Sequence, residues 1–195
     1  MTVYCYDTEF IEDGKTIDLI SIGIVADDGR EYYAVNADCD FARACFSDWL
    51  WDNVVRHLPT TKKDWTDPNH ARRITHLDRS AACVKPKWVI ANEVRDFIVG
   101  DLIDRDETVS EEDWPELWAY YGAYDHVALC QLWGAMVDHP RFMPMYSHDI
   151  KQEMDRLGIR SAVEPQPANA HDALADARWN MAMLANHIMP AASRG

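Results

Sequence analysis

At 195 residues the chain has the size of one domain with a substantial core, and its 48% hydrophobic content is that of a globular protein. The formal net charge of −14 argues against a protein that coats nucleic acid through bulk electrostatics. No apolar run approaches the roughly 18 residues of a membrane span.

The first expected element is a strand over residues 2–10, Val3-Tyr4-Cys5-Tyr6-Asp7-Thr8-Glu9-Phe10 and its flank. Side chains alternate along a strand, so Asp7 and Glu9 project to one side. Two acids at the end of an apolar strand repel each other and lose hydration, and a divalent cation with its preference for oxygen ligands relieves both problems. The same two acids fall where a signal peptide would carry its apolar region, which predicts a cytoplasmic protein. Leu19 to Ala26 reads as a second strand and Glu31 to Val35 as a third, joined by the turn Asp27-Asp28-Gly29. An antiparallel three-strand meander therefore opens the chain.

Residues 41–58 fit a helix, with Phe41, Cys45, Trp49, Leu50, Val54 and Leu58 as its apolar positions and Pro59 as its end. Residues 59–86 lack periodicity and read as an irregular excursion. Between Arg56 and Arg95 the basic residues Arg56, Lys62, Lys63, Arg72, Arg73, Arg79, Lys85, Lys87 and Arg95 outnumber the acids Asp64, Asp67, Asp78 and Glu93. Such an island could meet a phosphate backbone, form a solvated face, or mediate self-association. Trp88 to Val99 is an amphipathic helix closed by Gly100, and Asp101 to Asp113 an acidic loop.

Glu116 to Tyr121 reads as a strand broken at Gly122, and Tyr124 to Val137 as a helix with Leu129, Leu132, Trp133 and Met136 on one face. Ser147 to Leu157 is a short strand-to-helix element with Asp149 as a cap. Glu164 to Ala170 is a loop. A last helix runs from about Asp172, its N-cap, to Met189, and Pro190 stops it. Five scattered cysteines form no CxxC pair, which predicts reduced structural thiols; Cys39, Cys45 and His57 lack the spacing of a zinc site.

Three acidic groups stand out: Asp7-Thr8-Glu9 on the first strand, Asp125 just after the break at Gly122, and His171 with Asp176 at the start of the last helix. Asp-x-Glu and His-x4-Asp are each expected about once by chance in so acidic a chain, and each occurs once. Their order along the chain carries the argument. Phe10 and Tyr124 could stack on bases, whereas Trp118 and Trp133 read as core.

In that order the motifs resemble the DEDDh group of 3′-5′ exonucleases. The segments DTEFIEDG, LISIGIV, DGREYYAV, GAYDHVALCQLWG and HDALADAR are most similar to small actinobacterial 3′-5′ exoribonucleases. The resemblance spans residues 3–36 and 117–188, is weak over about 40–110, and departs from the group just after Glu9, where Phe10-Ile11-Glu12 stands in place of Thr/Ser-x-Gly. It implies an α/β, RNase H-like fold in one exonuclease domain, with Asp7, Glu9, Asp125 and Asp176 holding two Mg²⁺ or Mn²⁺ ions. It also implies His171 as general base, an RNA or single-stranded substrate, nucleoside 5′-monophosphate products and a homodimer. Two such ions clamp the attacking and leaving oxygens of a phosphodiester, and a histidine with an ordinary pKa of about 6.5 can take the water's proton near neutral pH. The alternatives are the same chemistry on DNA, or a non-catalytic nucleic-acid- or protein-binding module on the same fold.

Overall fold

In the computed structural model, residues 1–61, 68–105, 109–160, 164–167 and 169–192 are described. The opening antiparallel meander forms as expected from the strand runs and the turn between them. Strands β1 (Val3–Glu12), β2 (Ile17–Ala26) and β3 (Glu31–Asn36) pair antiparallel in sequence order. Gly29, at φ +89°, supplies the left-handed residue of the β2–β3 turn, and Asp28 Oδ1 accepts the Arg30 N–H at 2.9 Å.

Where one helix was expected over 41–58 there are two, α1 (Phe41–Phe46) and α2 (Asp48–Asn53), followed by a 3₁₀ turn at Val55–His57. Ser47 makes the break: it is extended, ends α1, and its hydroxyl caps α2 by accepting the Leu50 N–H. The excursion that follows contains helix α3 (Pro68–Ile74) and strand β4 (Val84–Lys85), which lies parallel to β3. Its Lys62, Lys63, Asp64 and Asp67 lie outside the described residues.

Helix α4 (Lys87–Arg105) runs through Gly100 instead of stopping there, because Leu102 continues the buried stripe of Ile90, Val94, Ile98 and Val99. Strand β5 (Glu116–Ala119) leads to α5 (Ala123–Cys130), which ends well before Val137; Gly134, at φ +82°, lies in the chain reversal that follows. Strand β6 (His148–Asp149) runs into α6 (Ile150–Arg156). Helix α7 (Ala173–Met183) widens into a π turn at Leu184–Ile188 and continues as α8 (Met189–Ala192). Pro190 therefore does not stop the helix; it sits in the first turn of a new segment, where a missing N–H costs little.

Among the described residues six strands form one mixed sheet in the order β4-β3-β2-β1-β5-β6, flanked by helices. Only β2 runs against the rest. Alternation divides β1 between two cores. Tyr4 and Tyr6 join Ile22 and Ile24 under α4 and α5, while Val3 and Cys5 face Ile150 and Met154 of α6 and Trp179 and Met183 of α7. Asp7 and Glu9 share the face of Val3 and Cys5, toward α7. The β1–β2 register shifts between Glu9 and Phe10, skipping Ile20, so Ile20 turns to a third cluster with Ile11, Val35 and the residues of α1–α3. Among the described residues no helix is long and apolar enough to cross a membrane.

Candidate active site

Asp7 pairs across the ladder with Gly23 of β2. A Cβ at Gly23 would collide with the Ala173 carbonyl and with Leu174 Cα. The missing side chain thus lets the first turn of α7 rest directly on the sheet beside Asp7. That approach brings the His-x4-Asp motif to the Asp-x-Glu motif. Asp172 caps α7 by accepting the Ala175 N–H at 2.9 Å. His171 precedes it in the left-handed region, at φ +68°, and its N–H donates to Asp176 Oδ2 at 2.7 Å.

Asp125 arrives from the opposite side of β1. Gly122 permits the tight strand-to-helix turn, since a Cβ there would sit 2.6 Å from Ala119 Cβ, and its N–H is held by Asp149 Oδ2 at 3.0 Å. Asp149 also caps α6 through the Gln152 N–H, as the sequence predicted. Thr8, between the two acids of β1, donates both its N–H (2.9 Å) and its hydroxyl (2.7 Å) to Asp125 Oδ1. The strand that carries Asp7 and Glu9 therefore also fixes the third acid.

Asp7, Thr8, Glu9, Asp125, His171 and Asp176 line one cleft of about 510 Å³, together with Phe10, Glu12, Ser47, Trp49, Leu50, Tyr120, Gln166, Ala170, Trp179 and Asn180. Neither Lys nor Arg is among the described residues that line it. One ligand atom each from Glu9, His171 and Asp176 come within 4.8 Å of one another. Asp7 and Asp125 share the cleft without joining that tight group. All four carboxyls are pushed above the usual carboxylate range. For Asp7, burial is the main cause, followed by the charges of Asp125, Glu9 and Asp176. Burial, then Asp176 and Asp125, raises Glu9 to about 8. Burial also raises Asp125 against the two Thr8 hydrogen bonds, and Asp176 against the His171 N–H. Mutually repelling oxygen donors, buried at Glu9 and Asp125 and half-buried at Asp7 and Asp176, plus one imidazole, are a donor set suited to hard divalent cations.

Phe10 lines the cleft and lies parallel to Tyr124, with ring centroids 5.9 Å apart. Trp133 packs on the α4–α5 core with its Nε1 donating to the Ala91 carbonyl, and Trp118 stacks on His148, consistent with structural roles. Among the described residues of the basic island, five have partners within the fold: Arg72 with Asp48, Lys85 with Glu93, Arg95 with Asp96, Arg56 with Asp52, and Arg79 with the Ala37 carbonyl. Cys39 and Cys45 are core residues, and all five cysteines are free.

Sequence reading placed Trp49 on the apolar face of a single helix; in the structure its ring stands in the cleft, edge-on to His171 with centroids 4.8 Å apart. It also passed over Asn180, 1% exposed in the buried face of α7, whose Nδ2 donates to the Tyr6 carbonyl at 3.1 Å. An amide in an apolar stripe was the signal available for it. Gly23 left no signal beyond being a glycine inside a strand.

The sequence also matches known proteins. Residues 2–188 match the profile of the 3′-5′ exoribonuclease Rv2179c-like domain. Two relatives from Mycobacterium tuberculosis, 3′-5′ exoribonuclease Rv2179c of strain ATCC 25618 / H37Rv and 3′-5′ exoribonuclease MT2234.1 of strain CDC 1551 / Oshkosh, are each 41% identical over 176 residues. The aligned stretch covers 90% of this chain and 86% of each relative. With that match covering the chain almost end to end, the chain belongs to the family of Rv2179c-like 3′-5′ exoribonuclease domains.

Proposed function

We propose that the protein is a metal-dependent 3′-5′ exoribonuclease that removes nucleoside 5′-monophosphates from RNA or short single strands. Asp7, Glu9, Asp125 and Asp176 would hold two Mg²⁺ or Mn²⁺ ions. When bound, such ions neutralise the clustered carboxylates and polarise the scissile phosphodiester and its attacking water. The chain's own residues supply orientation and proton transfer. His171 accepts the proton of the water through its imidazole, its backbone held by Asp176. Thr8 fixes Asp125, and the parallel rings of Phe10 and Tyr124 lie where the terminal nucleotide would stack. The observation that carries the reading is the convergence of Glu9, His171 and Asp176 in a cleft that Asp7 and Asp125 complete.

The motif resemblance supports an RNase H-like architecture in one domain, which the mixed sheet with its antiparallel three-strand opening fits. Five free thiols suit a reducing cytoplasm. A homodimer rests on the resemblance, and light scattering of the purified protein tests it. A binding module would have no use for four clustered carboxylates with raised pKa values, two of them buried. Mass spectrometry of products from mixed-sequence RNA and matched DNA, with and without EDTA, tests the whole reading. The expected result is 5′-monophosphates released stepwise from the RNA 3′ end and abolished by EDTA. Products unchanged by EDTA would end the metal assignment, and equal or faster cleavage of DNA would end the RNA preference.

A further inference from the structure

We infer that Trp49 is a positioning residue for His171, and that Arg72, through helix α2, sets the position of Trp49. The inference rests on the reading of His171 as the base. His171 is fixed at its backbone by the left-handed turn and by the bond to Asp176. Its ring is met by the Trp49 ring, edge-on at 73° with centroids 4.8 Å apart. Trp49 is 53% exposed, too exposed to be a core residue, and lines the cleft with Ser47 and Leu50. An edge-to-face aromatic pair restricts both rings, so the indole limits the directions in which the imidazole can point.

Helix α2 has six residues and cannot hold itself in place. Leu50 and Trp51, the two residues after Trp49, are buried in the third core cluster. Arg72 of α3 grips the helix on both sides of Trp49. Its Nη1 donates to Asp48 Oδ1 at 2.6 Å, and its guanidinium lies 5.3 Å from the centroid of the Trp51 ring. The Asp48 side chain is largely exposed, so the ion pair alone contributes little. The Arg72 side chain is only 15% exposed, and its stacking on a buried tryptophan is the stronger hold. The sequence offered phosphate contact, a solvated face or self-association for this basic stretch. For Arg72 the geometry gives a different task, because it is not among the cleft-lining residues. It holds in place the helix that steadies the imidazole.

The test uses the full chain, steady-state kinetics on a short labelled RNA, and NMR of the His171 ring protons, assigned by their loss in His171→Ala. Trp49→Leu should lower kcat about 10- to 100-fold, since small misplacements of a reacting group cost that much, with KM changed less than about 3-fold. Trp49→Phe should recover most of the loss. Arg72→Met should lower kcat in the same sense, shift the His171 resonances as Trp49→Leu does, and add nothing to Trp49→Leu in the double variant. A rise in KM with kcat intact in Trp49→Leu would make Trp49 a nucleotide contact and overturn the inference. So would an Arg72→Met variant, folded by circular dichroism, with unchanged kcat and His171 resonances. If His171→Ala itself keeps full activity, the reading of His171 as base fails. If His171→Ala is inactive while Trp49→Leu and Arg72→Met keep their kcat, only the present inference fails.

Discussion

Thr8 sits between Asp7 and Glu9 in sequence but points to the other face of the sheet, and it uses both of its donors on one oxygen of Asp125. Its identity is therefore part of the site. Thr8→Val keeps the shape and the backbone bond but removes the hydroxyl, and should lower Mn²⁺ affinity and kcat/KM about 10- to 100-fold. Titration calorimetry and steady-state rates check it. Glu9 offers a complementary case. Burial and its acidic neighbours raise it to about 8, so ionising it in the metal-free fold is unfavourable. Glu9→Gln should stabilise the metal-free protein at pH 8.5 by on the order of 1–3 kcal/mol in urea unfolding. The same variant should lose at least about 100-fold in turnover. A destabilised Glu9→Gln would show that the carboxylate is satisfied without a cation.

Among the elements, α7 is placed by a residue it does not contain. Gly23→Ala would push the first turn of α7 off the sheet and carry His171 and Asp176 with it. Overpacking of this kind costs about 1–3 kcal/mol, and thermal unfolding should show the loss together with a fall in kcat. Alanine at Gly29, equally a glycine but with open space around it, should strain only the hairpin turn and leave kcat unchanged. The contrast shows where sequence reading succeeds. β1–β3 were legible because short apolar runs rich in β-branched and aromatic residues and an Asp-Gly turn are local signals. The acids were legible through their order. The division of residues 41–58 into α1 and α2 was not, because apolar positions run across both sides of Ser47 and only tertiary packing decides that it caps a new helix. The passage of α4 through Gly100 and of the last helical segment past Pro190 likewise depends on burial and on a π turn that no local pattern announces. Trp49 and Gly23 matter through close approach between elements distant in sequence, which periodicity does not encode.

For the molecule as a whole, the raised carboxyls tie stability to pH. Above the ordinary carboxylate range, up to about 8 in the case of Glu9, the folded metal-free protein binds more protons at Asp7, Glu9, Asp125 and Asp176 than the unfolded chain does. Stability gained below that window is lost as pH rises through it. The melting temperature in EDTA should fall from pH 5 to pH 8.5, and Mg²⁺ or Mn²⁺ should flatten the slope by binding the ionised, folded form. A melting temperature in EDTA that climbs over the same range would contradict the cluster as drawn. The sheet has a separate consequence at this scale. Among the described residues its outermost strands, β4 and β6, are two residues long each and cover only Val35–Asn36 of β3 and Trp118–Ala119 of β5. Strands this short offer no long ladder of their own to an added strand. The sheet is thus closed at both ends by its weakest members, an arrangement that discourages edge-to-edge growth into aggregates.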